Sequence, residues 1–314
     1  MKTLLITGGS GFLGRNLAMA LKDHYHVVLG SRNNAALRKA EGQTGCDAYP
    51  LDVVNVNSVR DVFNEIKPNI VIHAAATKYV DWSERHPLEC LDVNIVGSQN
   101  VARTALNFGT ELVIGVSTDK ASRPLTSTYG LSKAAMERLF CGLDTHPTPT
   151  RFACVRYGNV VWSTGSVFHA WRAMGANVVS TGPKMRRFFF TVDDAVNLVT
   201  TCIGHIEQLR GTVLSQPMKA AQVCDVLNVW TELFGGAWVQ GESRPGDADD
   251  ECLVNDVELS RAREVILDAR KYYVIGLHVP PTGFPLVHAP SSANAVKLTH
   301  AEIRTLLTDQ PALP

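Results

Sequence analysis

The sequence predicts an α/β fold, with a doubly wound parallel sheet and a smaller C-terminal region. Short apolar runs alternate with stretches of helical periodicity through the first half of the chain. A glycine-rich turn joins the first apolar run to the first helical stretch. After Asn159 the rhythm changes, because glycines, prolines and tryptophans become frequent and the apolar runs shorten. Apolar strands that alternate with helices are typical of a parallel sheet covered on both faces.

The alternation predicts the elements in order. Residues 4–6 form the first strand, residues 16–21 the first helix and residues 27–29 the second strand. Further strands are predicted at 70–72, 112–114 and 152–155, and helices around 59–66 and at 91–105, 134–139, 193–206 and 221–233.

Length and charge limit the possible classes of protein. The chain has 314 residues, 45% of them hydrophobic, which is enough to bury a large core. The formal net charge is zero and no basic run is present, which argues against binding to nucleic acid or to an anionic membrane surface. Since there is neither a signal-peptide pattern nor a stretch of about 20 apolar residues, we expect a cytoplasmic protein with no membrane segment.

The seven cysteines are scattered along the sequence and show no metal-ligand spacing, and the histidines show none either. We expect reduced cysteines that are mostly buried, and no metal site. A reactive thiol is the alternative.

The turn at residues 7–14 (TGGSGFLG) fits the glycine spacings of dinucleotide-binding sites. It lies between a predicted strand and a predicted helix, where backbone N–H groups and the helix N-terminus can bind a pyrophosphate. This context predicts a Rossmann-like domain, and a purely structural glycine turn is the alternative. The cofactor contacts expected here are Thr7, Gly8, Gly11, Phe12, Leu13 and Gly14.

The end of the second strand favours NADP over NAD. An NAD site usually places a carboxylate there for the ribose 2′-hydroxyl, but residues 29–33 read LGSRN. Ser31 and Arg32 could instead bind a 2′-phosphate; alternatively, Arg32 is an ordinary solvated charge. Farther along, Asp52 and Val53 are expected near the adenine, and the small residues Ala74, Ala75 and Ala76 where the cofactor passes the fourth strand.

These expectations divide the chain into two regions. Residues 1–160, with a returning segment at 188–212, form the predicted dinucleotide-binding domain. Residues 161–187 and 213–314 form a substrate-binding region, which we expect over the C-terminal edge of the sheet, where ligands bind in such folds. We expect tryptophans 162, 171, 230 and 238 to pack this second region.

Tyr129 and Lys133 stand four residues apart and therefore share a helical face. An ammonium beside a phenol lowers the pKa of the phenol, so the tyrosine can take a proton from a substrate alcohol as hydride leaves. Thr118 would be the hydroxyl partner. A surface Tyr/Lys pair is the alternative, but the preceding glycine motif favours the catalytic interpretation.

These motifs resemble the extended short-chain dehydrogenase/reductase family. The segment 117–121 (STDKA), with Pro124 and the following YGLSK, is similar to the UDP-N-acetylglucosamine 4,6-dehydratase branch involved in polysaccharide biosynthesis. The resemblance spans nearly the whole chain, including segments 74–80, 94–100, 155–161, 165–167, 185–189, 244–246 and 272–275.

The resemblance implies an NADP-dependent nucleotide-sugar 4,6-dehydratase. Tyr129 would be the base at C4, supported by Thr118 and Lys133. The resulting ketone acidifies the C5 proton, which Lys120 would remove while Asp119 protonates the leaving C6 hydroxyl. As a base, Lys120 needs a pKa below its ordinary value of about 10.4, and we expect burial, Lys133 and the oxidised nicotinamide to supply that shift. The alternative is a surface ion pair of Asp119 with Lys120.

On the substrate side, the resemblance implies that guanidinium groups meet a nucleotide diphosphate, most simply that of UDP. The expected contacts are Lys78, Asn159, Arg186, Arg187 and Arg244. Lys78, Tyr129 and Lys133 are also expected to contact the cofactor. The family pattern RPGEKLHE is replaced at 244–251 by RPGDADDE, which removes a lysine and a histidine and adds acid.

The resemblance also bears on stereochemistry and assembly. A tyrosine at position 129 and the lack of a membrane segment favour the C5-inverting group, and the family implies a homo-oligomer. Two other functions stay open. A nucleotide-sugar 4-epimerase would need only Thr118, Tyr129 and Lys133, and a non-catalytic NADP-binding sensor or scaffold would need no turnover.

Overall fold

A ten-stranded sheet forms the centre of the computed structural model, which describes residues 1–242 and 244–311. Across the sheet the order is β15 (Phe284–Pro285), β13 (Ala262–Leu267), β14 (Arg270–Gly276), β10 (Thr212–Ser215), β6 (Arg151–Val155), β5 (Leu112–Val116), β4 (Ile70–His73), β1 (Thr3–Thr7), β2 (His26–Ser31) and β3 (Asp47–Pro50). The strands from β10 to β3 are parallel, whereas β14 and β13 are antiparallel to their neighbours. The predicted α/β fold is confirmed.

Helices cover both faces because successive strand side chains point to opposite sides. In β1, Leu4 and Ile6 belong to one core cluster and Leu5 belongs to the other. The first cluster includes side chains from α1 (Phe12–Leu21), α2 (Asn34–Thr44) and α9 (Val192–Gly204). The second includes side chains from α3 (Val56–Ile66), α6 (Gly97–Phe108) and α7 (Thr128–Leu143). The sheet is therefore doubly wound, as predicted.

The helix predicted at 91–105 is interrupted. The structure has α4 (Val80–Arg85) and α5 (Pro87–Leu91), then a π-helical turn (Asp92–Val96) that leads into α6. A π-turn inserts one extra residue per turn, and such turns often occur at functional sites. Here the turn holds the buried side chain of Asn94.

The sheet continues past the predicted dinucleotide-binding domain. Strands β10, β14, β13 and β15 come almost entirely from the 213–314 segment, which was assigned to the substrate-binding region. That segment therefore contributes to the central sheet, and the proposed division into two functional regions remains a prediction.

A second layer forms from two small sheets and three main helices. The sheets are β11 (Ala220–Gln222), β9 (Arg186–Phe190) and β7 (Asn159–Val160), and β12 (Ala237–Gln240) with β8 (Asn177–Ser180). The helices of this layer are α8 (Val167–Met174), α11 (Val223–Phe234) and α13 (His300–Thr308). Two short helices are α10 (Ile206–Leu209), whose Leu209 belongs to the first core cluster of the central sheet, and α12 (Asp256–Leu259). Tryptophans 162, 171 and 230 fill its core and Trp238 packs against it, as predicted.

The cysteines and the membrane-spanning potential of the helices can be compared with the expectations from composition. All seven cysteines are free thiols and five of them are buried, which confirms that expectation. Among the described residues, no helix combines the length and apolar character needed to cross a bilayer.

Candidate active site

The glycine-rich turn packs tightly against the end of β4. Gly8 has a φ of +71°, and a Cβ atom there would lie 2.8 Å from the backbone nitrogen of Ala75. A Cβ at Gly14 would lie 2.7 Å from the carbonyl oxygen of Gly8. Gly9, which belongs to the predicted glycine motif but was not among the expected cofactor contacts, is equally confined, since its Cβ would lie 2.9 Å from the oxygen of Ile6. Side chains at these positions would collide with the protein's own backbone, so glycine is what lets the turn pack this closely.

The N-terminus of α1 opens from this turn without a side-chain cap. Its N-cap residue is Gly11, so no side chain occupies the first amides of the helix. Phe12 is buried in the core and Leu13 packs against it, so they can meet a ligand only through their backbone or the edge of a side chain. An uncapped ten-residue helix after a glycine turn fits the pyrophosphate of a dinucleotide.

The residues expected at the adenosine end lie along the same edge of the sheet. The hydroxyls of Ser10 and Ser31 are 2.6 Å apart and join the glycine turn to the end of β2. The Arg32 side chain is 64% exposed, with its guanidinium 3.7 Å from Glu89. This arrangement leaves Arg32 accessible to a phosphate group.

The loop after β3 is fixed from two sides. Asp52 accepts a hydrogen bond from the backbone of Val54 at 3.0 Å, and the amide of Asn100 donates to the carbonyls of Val53 and Val54. Val53 itself is buried, and Ala74, Ala75 and Ala76 are half-buried where β4 ends. The predicted cofactor residues therefore line one edge of the sheet.

The predicted catalytic residues come together where β5 ends and α7 begins. Tyr129 is 9% exposed and Lys133 is 2% exposed, so the interpretation as a surface pair is wrong. The Thr118 hydroxyl donates to Oδ1 of Asp119 at 3.0 Å and also hydrogen-bonds with Tyr129. Ser127 caps α7 through the amide of Gly130 at 3.1 Å, which fixes the start of the helix.

Lys133 does not lower the pKa of Tyr129 as expected. Its ammonium donates to the carbonyl of Val116 at 2.8 Å, and burial lowers its own pKa to about 8. Burial raises the pKa of Tyr129 to about 12, and the charge of Lys120 and the hydrogen bond with Thr118 oppose that rise. Desolvation therefore outweighs the nearby cation.

Asp119 and Lys120 form a buried pair rather than a surface one. The Asp119 side chain is 0% exposed and that of Lys120 is 16% exposed, and Nζ lies 3.0 Å from Oδ1. The second oxygen, Oδ2, is buried with no hydrogen-bond partner within the described ranges. A Cβ at Gly158 would lie 3.1 Å from that oxygen, so the glycine leaves room beside it.

Glu251 completes this cluster and was missed in the sequence. Its side chain is 8% exposed, and Oε1 lies 3.4 Å from Nζ of Lys120 and 4.0 Å from Nε of Arg187. The signal was available, because Glu251 ends the RPGDADDE segment at the place where the family pattern also has glutamate. Linear spacing could not show that this acid meets Lys120.

The charge state of Lys120 differs from the expectation. Burial lowers the pKa of Lys120, but the charges of Asp119 and Glu251 more than offset that effect, and the pKa lies above its ordinary value. Burial raises the pKa of Glu251 in turn, against the opposing charges of Lys120 and Arg187. Lys120 therefore rests as an ammonium, because two carboxylates flank it.

Two further residues position α7, the helix that carries Tyr129 and Lys133. A Cβ at Gly130 would lie 2.2 Å from the carbonyl oxygen of Lys120, so only glycine lets α7 approach this loop. The amide of Asn94 donates to Ser132 at 2.9 Å and to the carbonyl of Thr77 at 3.0 Å, while Ser132 donates to the carbonyl of Tyr129 at 2.8 Å. The π-turn thus ties α7 to the loop after β4.

The predicted substrate arginines are already paired with the acidic segment. Arg186 binds Asp250 through two hydrogen bonds of 2.6 Å, and Arg244 meets Asp247 at 3.1 Å. The third, Arg187, lies beside Glu251. Asp250, which stands where the family pattern has a histidine, therefore neutralises Arg186 in the predicted phosphate site.

The other two substrate candidates have protein partners as well. The ammonium of Lys78 donates to the carbonyl of Thr164 at 2.6 Å, and the amide of Asn159 donates to the carbonyl of Phe188 at 3.3 Å. Lys78 is exposed and Asn159 is half-buried.

Comparisons with known proteins agree with this geometry. A family model described as polysaccharide biosynthesis protein matches residues 4–265. A UDP-glucose 4-epimerase of Rickettsia prowazekii is 31% identical, covering 98% of this chain and 95% of its own length. The X-ray structure of Pen from Bacillus thuringiensis has a TM-score of 0.89 at 25% identity and covers 98% of this chain and 96% of its own.

A more distant structure shares the fold alone. UDP-glucose 4-epimerase from Bifidobacterium longum, in complex with NAD+ and UDP, has a TM-score of 0.68 at 22% identity and covers 78% of this chain and 88% of its own. The family match and the full-length relative together place the chain in the polysaccharide biosynthesis protein family, with the extended short-chain dehydrogenase/reductase fold that its motifs resemble.

Proposed function

We propose that this protein is an NADP-dependent nucleotide-sugar 4,6-dehydratase that acts on UDP-N-acetylglucosamine with inversion at C5. The observation that carries this proposal is the buried pair of Asp119 and Lys120 beside Tyr129. Removing charges from water costs several kcal/mol per ion, so a buried pair at the end of a parallel strand needs a compensating role. Elimination of water across C5 and C6 requires such an acid and base.

The cofactor proposal rests on the glycine turn and the open α1 N-terminus. When bound there, NADP+ would supply the hydride acceptor for C4 of the sugar and, once reduced, the hydride donor for C6. The Bifidobacterium longum relative was solved with NAD+, so its ligand supports a nicotinamide dinucleotide without deciding the 2′-phosphate. Ser31 and Arg32 favour NADP in this chain.

The side chains divide the proton transfers among them. Tyr129 would take the proton from the C4 hydroxyl, with Thr118 holding the phenol oxygen. Lys120 would remove the C5 proton, and Asp119 would give the leaving hydroxyl at C6 the proton that Tyr129 took from the C4 hydroxyl. The unpartnered Oδ2 of Asp119 is the atom free to carry that proton.

Proton NMR in deuterated water tests the proposal. We expect the purified protein, given UDP-N-acetylglucosamine and NADP+, to produce a new C6 methyl signal with deuterium at C5, and the C5 coupling pattern of an inverted centre. Formation of the 4-epimer with no methyl signal would contradict the dehydratase.

A nucleotide-sugar 4-epimerase is the second candidate, because the full-length relative carries that name. An epimerase needs Thr118, Tyr129 and Lys133, but its reaction has no step that would require the buried Asp119 and Lys120. The same NMR experiment separates the two, since the epimer keeps its C6 hydroxyl. Cofactor binding without turnover of a panel of nucleotide sugars would instead favour the sensor or scaffold.

Replacing Arg32 with alanine is expected to weaken NADP+ binding about 10- to 100-fold, since hydrogen bonds to a charged group contribute about 1.5–3 kcal/mol. Binding of NAD+, which lacks the 2′-phosphate, should stay the same. Calorimetric titration with both cofactors measures the difference. Arg38→Ala is the matched control, because Arg38 is another exposed arginine, on the neighbouring helix α2. Equal losses for both cofactors would refute the assignment.

A further inference from the structure

Lys120 lies between two carboxylates in a nearly closed environment. Its Nζ is 3.0 Å from Asp119 and 3.4 Å from Glu251. Tyr129 and Arg187 also interact electrostatically with this cluster, and Cys252 is the next residue in the chain after Glu251. An ammonium has no lone pair, so Lys120 must lose a proton before it can remove another from C5.

We propose that Glu251 is a positioning residue that accepts this proton from Lys120 and so frees the amine for the C5 proton; the inference rests on the proposed dehydratase function. In the step, an N–H bond of Lys120 breaks and an O–H bond forms on Glu251. The electron pair of the broken bond stays on Nζ, and the summed charge of the two groups does not change. After the C5 proton has been returned, Glu251 gives its proton back to Lys120.

The geometry favours Glu251 over Asp119 as the acceptor. Oδ1 of Asp119 already accepts hydrogen bonds from both Thr118 and Lys120. Glu251 meets Lys120 from another segment, which Ser292 holds by donating its backbone N–H to the Glu251 carbonyl at 2.8 Å and accepting the Glu251 N–H at its hydroxyl at 3.0 Å. Burial raises the pKa of Glu251, which brings its proton affinity closer to that of a buried amine.

The test compares Glu251→Gln with wild type in two half-reactions. Absorbance of the reduced cofactor reports the hydride step at C4, which Glu251 does not serve, and NMR reports methyl formation. We expect the variant to form reduced cofactor normally but the methyl at least ~10²-fold more slowly at neutral pH. The methyl rate of the variant should then climb with pH, because Lys120 must lose its proton to solvent, while the wild-type rate stays level. Glu251→Asp should restore part of the rate.

Asp249→Asn is the control, since it removes the same charge from an exposed position two residues away. A wild-type methyl rate and pH profile in Glu251→Gln would overturn the proton transfer. So would equal losses of the hydride step and methyl formation, which indicate a structural role. If the wild-type protein forms no C6 methyl group, the proposed dehydratase function is wrong, and so is the proton transfer from Lys120 to Glu251.

Discussion

Replacing Tyr129 with phenylalanine is expected to lower product formation by ~10²–10⁴-fold, the range that general acid–base catalysis contributes. The substitution removes only the hydroxyl group and keeps the ring of Tyr129, a residue that is 9% exposed. The fold should therefore persist. Unlike Glu251→Gln, this variant should lose both reduced cofactor and methyl signal, because the phenol serves the first proton transfer.

The environment of Tyr129 makes this effect large. Its pKa is raised to about 12 by burial, so the phenol needs the charge of Lys120 and the hydrogen bond of Thr118 to accept and release a proton near neutral pH. Tyr272→Phe is the control, since Tyr272 is buried and its hydroxyl meets only Thr201 at 3.2 Å in the described structure. Full activity of Tyr129→Phe, with Tyr272→Phe unchanged, would exclude the phenol as the C4 base.

Replacing Glu137 with glutamine is expected to reduce the free energy of unfolding by about 3–5 kcal/mol, the usual cost of breaking a buried ion pair. Arg156 is fully buried and donates bidentate hydrogen bonds to Glu137 at 2.9 and 2.6 Å and to Glu258 at 2.8 and 2.9 Å. The carbonyl of Leu253 accepts the remaining N–H at 2.8 Å. The five donors of the guanidinium are thus satisfied, and a glutamine amide would face one of them with a second donor.

Urea unfolding measures this effect: the urea concentration at the unfolding midpoint should fall, while the dependence of the unfolding free energy on urea concentration stays the same. Glu264→Gln is the control, because its pair with Lys271 is partly exposed, and we expect it to cost less than about 1 kcal/mol. Equal effects of the two substitutions would show that the buried cluster does not stabilise the fold.

The same cluster predicts the direction of acid sensitivity. Burial raises the pKa of Glu258, whereas the charge and hydrogen bonds of Arg156 lower it by a larger amount. The pKa of Glu258 therefore lies below its ordinary value. A carboxyl with a lowered folded pKa stabilises the protein above its unfolded pKa of about 4.3. That contribution is lost as pH falls through the folded pKa.

Local pattern predicted much of the fold. The apolar strands and the helices between them follow from alternation and periodicity, which depend on neighbours in the chain. The glycine turn could also be predicted from the sequence. Gly8 has a φ of +71° and packs against the backbone of Ala75, and both features require glycine. The π-turn at 92–96 was missed because periodicity does not distinguish one inserted residue within a continuous helix.

The sequence by itself determined the sheet, the glycine-rich turn and the candidate residues Thr118, Asp119, Lys120, Tyr129 and Lys133. Only the tertiary structure decided the charge of Lys120, because it brings Glu251 from a distant segment to within 3.4 Å. It also showed that two of the predicted substrate arginines, Arg186 and Arg244, form ion pairs with Asp250 and Asp247. The physical reason is that electrostatic interactions follow distance and burial in space, and residues far apart in the chain set both.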